Sequence, residues 1–100
     1  MKFIPIPENN EELHLPELVY YASLGEIEQV KVLLEQGIDP NQTDDEGYSA
    51  LQAAAENGYL DIVQLLISQG ADASYQSEYT ALQLAEMADQ QQIVEYLKSL

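Results

Sequence analysis

Apolar residues recur three and four positions apart in six short stretches of the chain, with polar residues or glycine between the stretches. This spacing places apolar side chains on one face of an α-helix. The predicted helices span residues 17–24, 27–35, 50–57, 60–68, 81–88 and 90–99. A glycine separates the two helices of the first and second pairs, and Asp89 separates those of the third. The pattern therefore predicts three pairs of short antiparallel helices.

Residues that favour helix ends flank several of these stretches. Ser49 and Thr80 precede the first helices of the second and third pairs, where a hydroxyl group can accept a hydrogen bond from a free backbone N–H group. Gly37 and Gly70 follow the second helices of the first two pairs, where the backbone needs a left-handed residue. The last helix carries an apolar stripe among polar residues, which predicts a terminal helix with a hydrated outer face.

The helix pairs form an internal repeat. Residues 18–41 align with residues 51–74 at a shift of 33, and the two copies share leucines and glycines. A shift of 31 aligns the second copy with the third, so that Tyr48 matches Tyr79. One such pair cannot bury its apolar face alone. The copies are therefore expected to stack into a solenoid whose common core includes Leu66.

The second copy carries a family resemblance. Residues 47–72 read GYSALQAAAENGYLDIVQLLISQGAD and resemble the ankyrin repeat, whose pattern is GxTPLHxAAxxGxxxIVxxLLxxGAD. The resemblance is close over residues 44–74, clear over 17–41 and good over 79–99. It implies an all-α fold, an ankyrin-repeat solenoid of three stacked helix pairs with short hairpin-like fingers, in a single domain over residues 1–100.

The resemblance also divides this domain into repeats. The divisions are an N-terminal extension or cap at 1–16, the first repeat at 17–43, the second at 44–76, and the third with the C-terminal cap at 77–100. The first of these segments contains prolines and an acidic polar stretch. It is expected to form either an extended cap or a disordered tail.

Two helix pairs depart from the family pattern at their start. Residues 49–52 and 80–83 read SALQ and TALQ where the family has Thr-Pro-Leu-His. The proline that presets the first helical turn and the histidine that ties neighbouring loops are both absent, so stability is expected to be lower than in consensus repeats. The third finger is shorter by two residues and carries Ser-Glu-Tyr at 77–79, so its backbone is expected to follow a different course.

The composition is strongly acidic. Eighteen Asp and Glu residues against three lysines and no arginine give a net charge of −15. Such a field repels nucleic acids and anionic membranes and attracts basic proteins, and it disfavours self-association. Direct nucleic-acid or membrane binding is therefore not expected, whereas a basic protein partner and a monomeric chain are. The 46% of hydrophobic residues indicates a folded domain rather than an acidic tail.

The sequence also bears on the compartment. Cysteine is absent, which excludes disulfides and thiolate chemistry. No apolar run approaches the roughly 18 residues of a membrane span, and the first residues lack a signal-peptide core. We expect a cytoplasmic, stand-alone module.

One segment begins like a calcium loop. Asp39, Asn41 and Thr43 have the spacing of its first three ligands. Asp44 then stands where the loop requires glycine, and Ala50 stands where it requires a bidentate glutamate. No metal or cofactor is predicted.

Catalytic groups are equally poorly placed. Neighbouring carboxylates on a hydrated turn cannot act as an acid and base pair, because neither is held neutral in a dry site. The single histidine, His14, has no nucleophile motif near it, and a solvated or packing role is expected for it. An enzyme is not predicted.

Recognition of another protein is the function that these patterns leave. Asp44 and Gly47 suit the first and last positions of a type I turn, which would place the adjacent carboxylates on an exposed finger tip. The resemblance implies contact positions on the finger tips and first helices. These are Asp45, Glu46, Tyr48, Glu56 and Asn57 in the second repeat, Tyr79, Met87 and Ala88 in the third, and Ser23 and Leu24 in the first.

Tyrosines among carboxylates form a coherent interface. The rings give rigid apolar anchors, and the acids steer and pair with Arg or Lys. Alternatively, the acids serve solubility, and Tyr48 and Tyr79 pack finger against finger. Tyr20, Tyr21 and Tyr96 lie at helical spacings near apolar residues and are expected to be core or half-buried.

These patterns predict a non-catalytic module that binds a basic protein. The most concrete version is an inhibitor or immunity-type, antitoxin-like protein that blocks a cationic enzyme such as a nuclease, which needs a basic cleft to hold phosphates. The alternative is an adaptor or scaffold that binds a peptide or a subunit, with the acidic charge serving solubility.

Overall fold

The computed structural model describes residues 16–100. It contains α1 (Glu17–Leu24), α2 (Ile27–Glu35), α3 (Ala50–Asn57), α4 (Leu60–Ser68), α5 (Ala81–Met87) and α6 (Gln91–Lys98). The all-α prediction is confirmed, and the first four helices have the predicted bounds. The third pair is slightly shorter than predicted, because Ala88 and Gln90 flank the helices instead of extending them. His14 and the predicted cap before Pro16 lie outside the described residues.

The six helices form two rows. The first helices of the repeats contact one another in the order α1, α3, α5, and the second helices contact one another in the order α2, α4, α6. Apolar side chains between the rows form one continuous core. Its fully buried members include Leu18, Ala22, Val30, Ala54, Ile62, Val63, Leu66 and Ala85. The stacked solenoid implied by the sequence is thereby confirmed, and Leu66 belongs to its core.

Hydroxyl caps fix the starts of two first helices. Ser49 Oγ accepts a hydrogen bond from the backbone N–H of Gln52 at 3.1 Å, and Gln52 Oε1 accepts one from the backbone N–H of Ser49 at 2.8 Å. Thr80 and Gln83 repeat this reciprocal pair at 3.1 and 2.9 Å. Both predicted caps are confirmed, and each is a complete capping box.

The side chain of Gln52 also ties two repeats together. It is buried, with 1% of its surface exposed. Its Nε2 atom donates to the backbone oxygen of Tyr79 at 2.6 Å and to Ser77 Oγ at 3.0 Å. The second repeat therefore keeps a link between neighbouring fingers although the family histidine is absent, because a glutamine amide supplies donors to the next finger.

The two fingers differ in length at their tips. An antiparallel bridge between Thr43 and Ser49 encloses five residues, whereas the bridge between Gln76 and Thr80 encloses three. The two residues missing from the third repeat are thus lost from the tip, which gives the predicted change of course. In the longer finger the backbone N–H of Gly47 donates to the carbonyl of residue 44 at 3.0 Å, as the predicted turn requires.

The third repeat has a polar outer face. Ala55 is fully buried, whereas its counterpart Glu86 is exposed. Ile67 is half-buried, whereas its counterpart Lys98 is exposed. The predicted hydrated outer face of the last helix is confirmed.

The helical tyrosines do not all share one environment. Tyr21 and Tyr96 are half-buried, as expected. The expectation is wrong for Tyr20, which is 44% exposed and meets the Tyr21 ring edge to face at a centroid distance of 5.2 Å. Tyr20 lies one helical step before Tyr21, so the two neighbouring side chains leave the helix in different directions.

Candidate functional site

A groove of about 470 Å³ lies between the two fingers and the first helices α3 and α5. We call it the finger groove. It is lined by Asp44, Glu46, Tyr48, Glu56, Ser77, Glu78, Tyr79, Leu84 and Met87. Its volume is within the range of small ligand sites. It contains five of the eight contact residues predicted in the second and third repeats, namely Glu46, Tyr48, Glu56, Tyr79 and Met87.

Asp44 shapes the finger that forms one wall of this groove. Its Oδ1 atom accepts hydrogen bonds from the backbone N–H groups of Glu46 at 2.9 Å and Tyr48 at 3.0 Å. Its own backbone N–H donates to the carbonyl of Tyr48 at 3.0 Å. The Asp44 carboxylate therefore holds the turn, and the Glu46 side chain remains exposed at the tip.

The adjacent finger secures the same turn from the other side. The Tyr75 hydroxyl donates a hydrogen bond to the carbonyl of Gly47 at 2.6 Å. Gly47 has a left-handed backbone, and a Cβ atom at this position would lie 3.0 Å from the Tyr75 hydroxyl. The positive φ favours glycine here, a Cβ atom would crowd the Tyr75 hydroxyl, and the hydrogen bond fixes one finger against the next.

Tyr48 connects the finger to α3. Its hydroxyl donates to Glu56 Oε1 at 2.6 Å. Burial raises the pKa of the Tyr48 phenol well above its usual range, and the hydrogen bond to Glu56 and the negative charges of Glu56 and Asp44 raise that pKa further. The phenol therefore stays protonated and orients the Glu56 carboxylate. A carboxylate has about four acceptor sites, so Glu56 can still bind donors from another molecule.

The charge in the finger groove has one sign. Four of its lining residues carry carboxylates, and the described residues that line it include no lysine. Three of the four, Asp44, Glu46 and Glu56, belong to the second repeat, and Glu78 belongs to the finger of the third. The arrangement attracts cationic groups and repels phosphates.

The apolar part of the groove comes from the third repeat. Met87 at the end of α5 is 64% exposed, and Tyr79 on the short finger is 38% exposed. Leu84 lines the same groove and is 9% exposed. Large exposed apolar side chains next to a concave surface are typical of interaction sites.

Two predicted contact residues of the second repeat do not line the groove. The Asn57 side-chain nitrogen donates to the carbonyl of Ala53 at 2.9 Å, so its amide is engaged within α3. Asp45 is exposed on the finger tip outside the groove lining.

The predicted contact positions of the first repeat and of residue 88 also lie away from the groove lining. Ala88 and Leu24 are exposed. Ser23 donates its hydroxyl hydrogen to the carbonyl of Tyr20 at 2.7 Å, within the same helix.

Four lining residues were not among the predicted contacts. Ser77 and Glu78 stand in the shortened finger, which the repeat alignment marks as altered. Leu84 aligns with the buried Ala53 of the second repeat. The change from alanine to the larger leucine is the sequence feature that could have marked Leu84 as a groove residue. Asp44 was predicted only as a turn residue.

Two structural features are absent from residues 16–100. In this part of the chain no group of three or more His, Asp or Glu side chains is arranged to hold a metal ion. Within the same residues no helix has the length and apolar character needed to cross a bilayer.

The segment that resembles a calcium loop has other partners. Asn41 donates to the carbonyl of Gly70 at 3.2 Å and accepts from the backbone N–H of Asp72 at 2.7 Å. Asp39 Oδ1 accepts from the backbone N–H of Asn41 at 2.9 Å. These groups join the bases of neighbouring repeats.

Comparison with known proteins places the whole array in a described family. A family model for ankyrin repeats, in three copies, matches residues 18–100. The chain is 33% identical over 97 residues to ankyrin repeat and SAM domain-containing protein 6 of Mus musculus, covering 91% of this chain and 11% of that protein. It is 33% identical over 73 residues to ankyrin repeat domain-containing protein 39 of Homo sapiens, covering 72% and 40%.

A shorter match is closer in sequence. Over 48 residues the chain is 46% identical to protein phosphatase 1 regulatory subunit 27 of Homo sapiens, covering 48% of this chain and 31% of that protein. The chain thus spans less than half the length of each of these three relatives.

Proposed function

Because the chain belongs to the ankyrin-repeat family, whose repeats form protein-interaction modules, we propose that its finger groove binds a basic protein. The observation that carries this proposal is the lining of the groove. Four carboxylates face a concave surface without a lysine among its described lining residues, and the apolar groups of Tyr79 and Met87 are exposed beside them.

Each kind of lining residue has a separate role in such binding. The net charge of −15 accelerates encounter with a cationic surface, and the carboxylates of Glu46 and Glu56 pair with Arg or Lys once it has docked. Tyr79 and Met87 supply apolar area, which stabilises the complex after encounter. The fingers are fixed by hydrogen bonds from Gln52 and Tyr75, so little ordering is needed when the partner binds.

The most concrete version of this function is inhibition of a basic enzyme. An enzyme that handles nucleic acid needs a cationic cleft to hold phosphates, and a concave acidic surface can occupy that cleft. One relative is by name a regulatory subunit of a protein phosphatase, which supports an enzyme as the type of target. In this version the finger groove acts as an immunity-type blocking surface in the cytoplasm.

An adaptor is the second candidate, and the lengths of the relatives favour it. The chain spans only 11% of a relative whose name includes a SAM domain and 40% of another. Similar repeats therefore occur within longer chains, where they accompany other segments. An adaptor would hold its partner without blocking an activity.

The test uses two variants with the same net charge. The groove-reversed variant carries Glu46→Lys and Glu56→Lys. The control-reversed variant carries Glu28→Lys and Glu95→Lys on α2 and α6, helices that contribute no residue to the groove lining. Each variant and the wild type are immobilised, exposed to native lysate and washed at low and then high salt, and bound proteins are identified by mass spectrometry.

The proposal predicts a basic protein that is retained by the wild type and the control-reversed variant, is lost from the groove-reversed variant and elutes with salt. Retention of the same protein by all three baits would contradict the groove as the binding site. The retained protein is then assayed with and without the wild-type chain. Loss of its activity supports an inhibitor, and unchanged activity supports an adaptor.

A further inference from the structure

The two sides of the finger groove differ in chemistry. The second repeat supplies Glu46 and Glu56, whose side chains are exposed. The third repeat supplies Leu84, Met87 and the ring of Tyr79. A purely cationic ligand would satisfy only the first side, and a purely apolar ligand would leave the carboxylates without a cation. The lining therefore requires a ligand with both kinds of group.

From this division, and resting on the proposed function, we infer that the groove binds a short segment of the partner in which an arginine lies next to a bulky apolar side chain. The arginine pairs with the carboxylates of the second repeat. The apolar side chain packs on Leu84 and Met87 of the third repeat.

Two features favour arginine over lysine as the cation. Glu56 is already oriented by the Tyr48 hydroxyl at 2.6 Å, so it presents a fixed carboxylate to a planar guanidinium. The Tyr79 ring is 38% exposed in the same groove, and a guanidinium stacks on aromatic faces more readily than an ammonium group does. A lysine would use only the charge of the site.

The exposure of Met87 is the reason to expect an apolar side chain next to the arginine of the ligand. The Met87 side chain is 64% exposed, and its flexible thioether can adapt to ligands of different shape. Leu84 lines the same groove and is 9% exposed, which adds an apolar wall beside Met87. Covering Met87 removes apolar surface from water, and this contribution is not screened by salt.

The experiment follows one methyl group by NMR. The sequence contains two methionines, Met1 and Met87, so methyl labelling of methionine reports directly on the groove. The probes are four acetylated and amidated pentapeptides: Gly-Leu-Arg-Leu-Gly, Gly-Gly-Arg-Gly-Gly, Gly-Leu-Gln-Leu-Gly and Gly-Leu-Lys-Leu-Gly. The Met87 signal is assigned with Met87→Gln, and each peptide is titrated into the full chain.

The inference predicts a saturable shift of the Met87 methyl signal with Gly-Leu-Arg-Leu-Gly. The peptides that lack either the cation or the leucines should bind at least about fivefold more weakly, and the lysine peptide should be intermediate. Glu56→Gln keeps the acceptor for Tyr48 and should weaken binding of the first peptide, whereas Glu28→Gln on α2 should leave it unchanged.

Three results would overturn the inference: a titration with the first peptide that stays linear to about 10 mM, equal binding of the peptide without leucines, or no effect of Glu56→Gln. Failure here is distinct from failure of the proposed function. If the groove-reversed variant still loses its basic protein while the arginine peptides with and without leucines bind equally, the groove recognises charge alone and the proposed function stands.

Discussion

At the scale of single residues, Tyr48 links the shape of the finger to the electrostatics of the groove. Its ring is half-buried, its backbone closes the turn with Asp44, and its hydroxyl holds Glu56 at 2.6 Å. Carboxylates on flexible side chains lose conformational freedom when they bind a cation. A glutamate that is already oriented loses less.

We therefore predict that Tyr48→Phe weakens partner binding severalfold by faster dissociation while leaving its salt dependence unchanged, since no charge is altered. The free energy of unfolding should fall by about 0.5–1.5 kcal/mol for the lost hydrogen bond. Surface-based binding kinetics at several ionic strengths provide the measurement. Tyr79→Phe is the matched control, because it removes a hydroxyl from the other tyrosine of the groove. An equal effect of both changes would show that Tyr48 has no orienting role.

Asp89 is a second residue whose conformation carries a testable consequence. It is the non-glycine residue with positive φ in the described part of the chain, at 61°, and it aligns with Gly58 of the preceding repeat. We predict that Asp89→Ala lowers the free energy of unfolding by about 1 kcal/mol, whereas Asp89→Gly does not lower it. Denaturant unfolding measures both. A loss with glycine as large as that with alanine would mean that the Asp89 side chain, which accepts from Gln91 at 3.1 Å, outweighs backbone strain.

At the scale of elements, the link between α3 and the short finger depends on Gln52. One amide side chain caps its own helix and donates to residues 25 and 27 positions away. Gln83 forms the same capping box, but its side chain is exposed. A comparison of Gln52 with Gln83 therefore separates the contribution of helix capping from that of the bonds between repeats.

We predict that Gln52→Ala lowers the free energy of unfolding by about 2–4 kcal/mol, because it removes the cap and the shorter of the two hydrogen bonds to the backbone oxygen of Tyr79. Gln83→Ala should cost about 1 kcal/mol or less, since water can replace its contacts. Denaturant unfolding gives both values. Equal losses at the two positions would show that the bonds across to the finger add nothing to stability.

The elements also show which parts of the fold a sequence can specify. Helix spacing and caps depend on residues within one turn, so four helices have the predicted bounds and the others differ by one or two residues. The role of Gln52 depends on partners in the next repeat, which the sequence does not identify. The family pattern shows that the histidine is missing, but it does not show that a glutamine takes over its link between fingers. The five predicted contact residues that line the groove could be identified because their positions recur in each repeat. Asn57 does not line the groove, because its amide forms a hydrogen bond within its own helix.

At the scale of the whole molecule, stability comes from a core shared by all three repeats. Leu66 lies fully buried in the middle repeat, between neighbours on both sides. We predict that Leu66→Ala lowers the free energy of unfolding by about 2–5 kcal/mol. Val32→Ala on α2, where the valine is 44% exposed, should change it by about 0.5 kcal/mol or less. A change at Leu66 no larger than that at Val32 would contradict the shared core.

The distribution of charge is the other property of the whole molecule. A net charge of −15 attracts any cationic protein over about 8 Å at physiological salt, whichever face it meets. Binding at the finger groove therefore has to be separated from general attraction. Variants of equal net charge make this separation, because only the position of the reversed charges differs between them.

The most direct test is the association rate of the basic partner with the groove-reversed and control-reversed variants, measured against ionic strength by stopped-flow fluorescence. Both variants raise the net charge by four, so a general field slows both equally. We predict that the groove-reversed variant associates at least about tenfold more slowly than the control-reversed variant at low salt, with a shallower salt dependence. Equal rates for the two variants at every salt concentration would contradict the finger groove as the binding site.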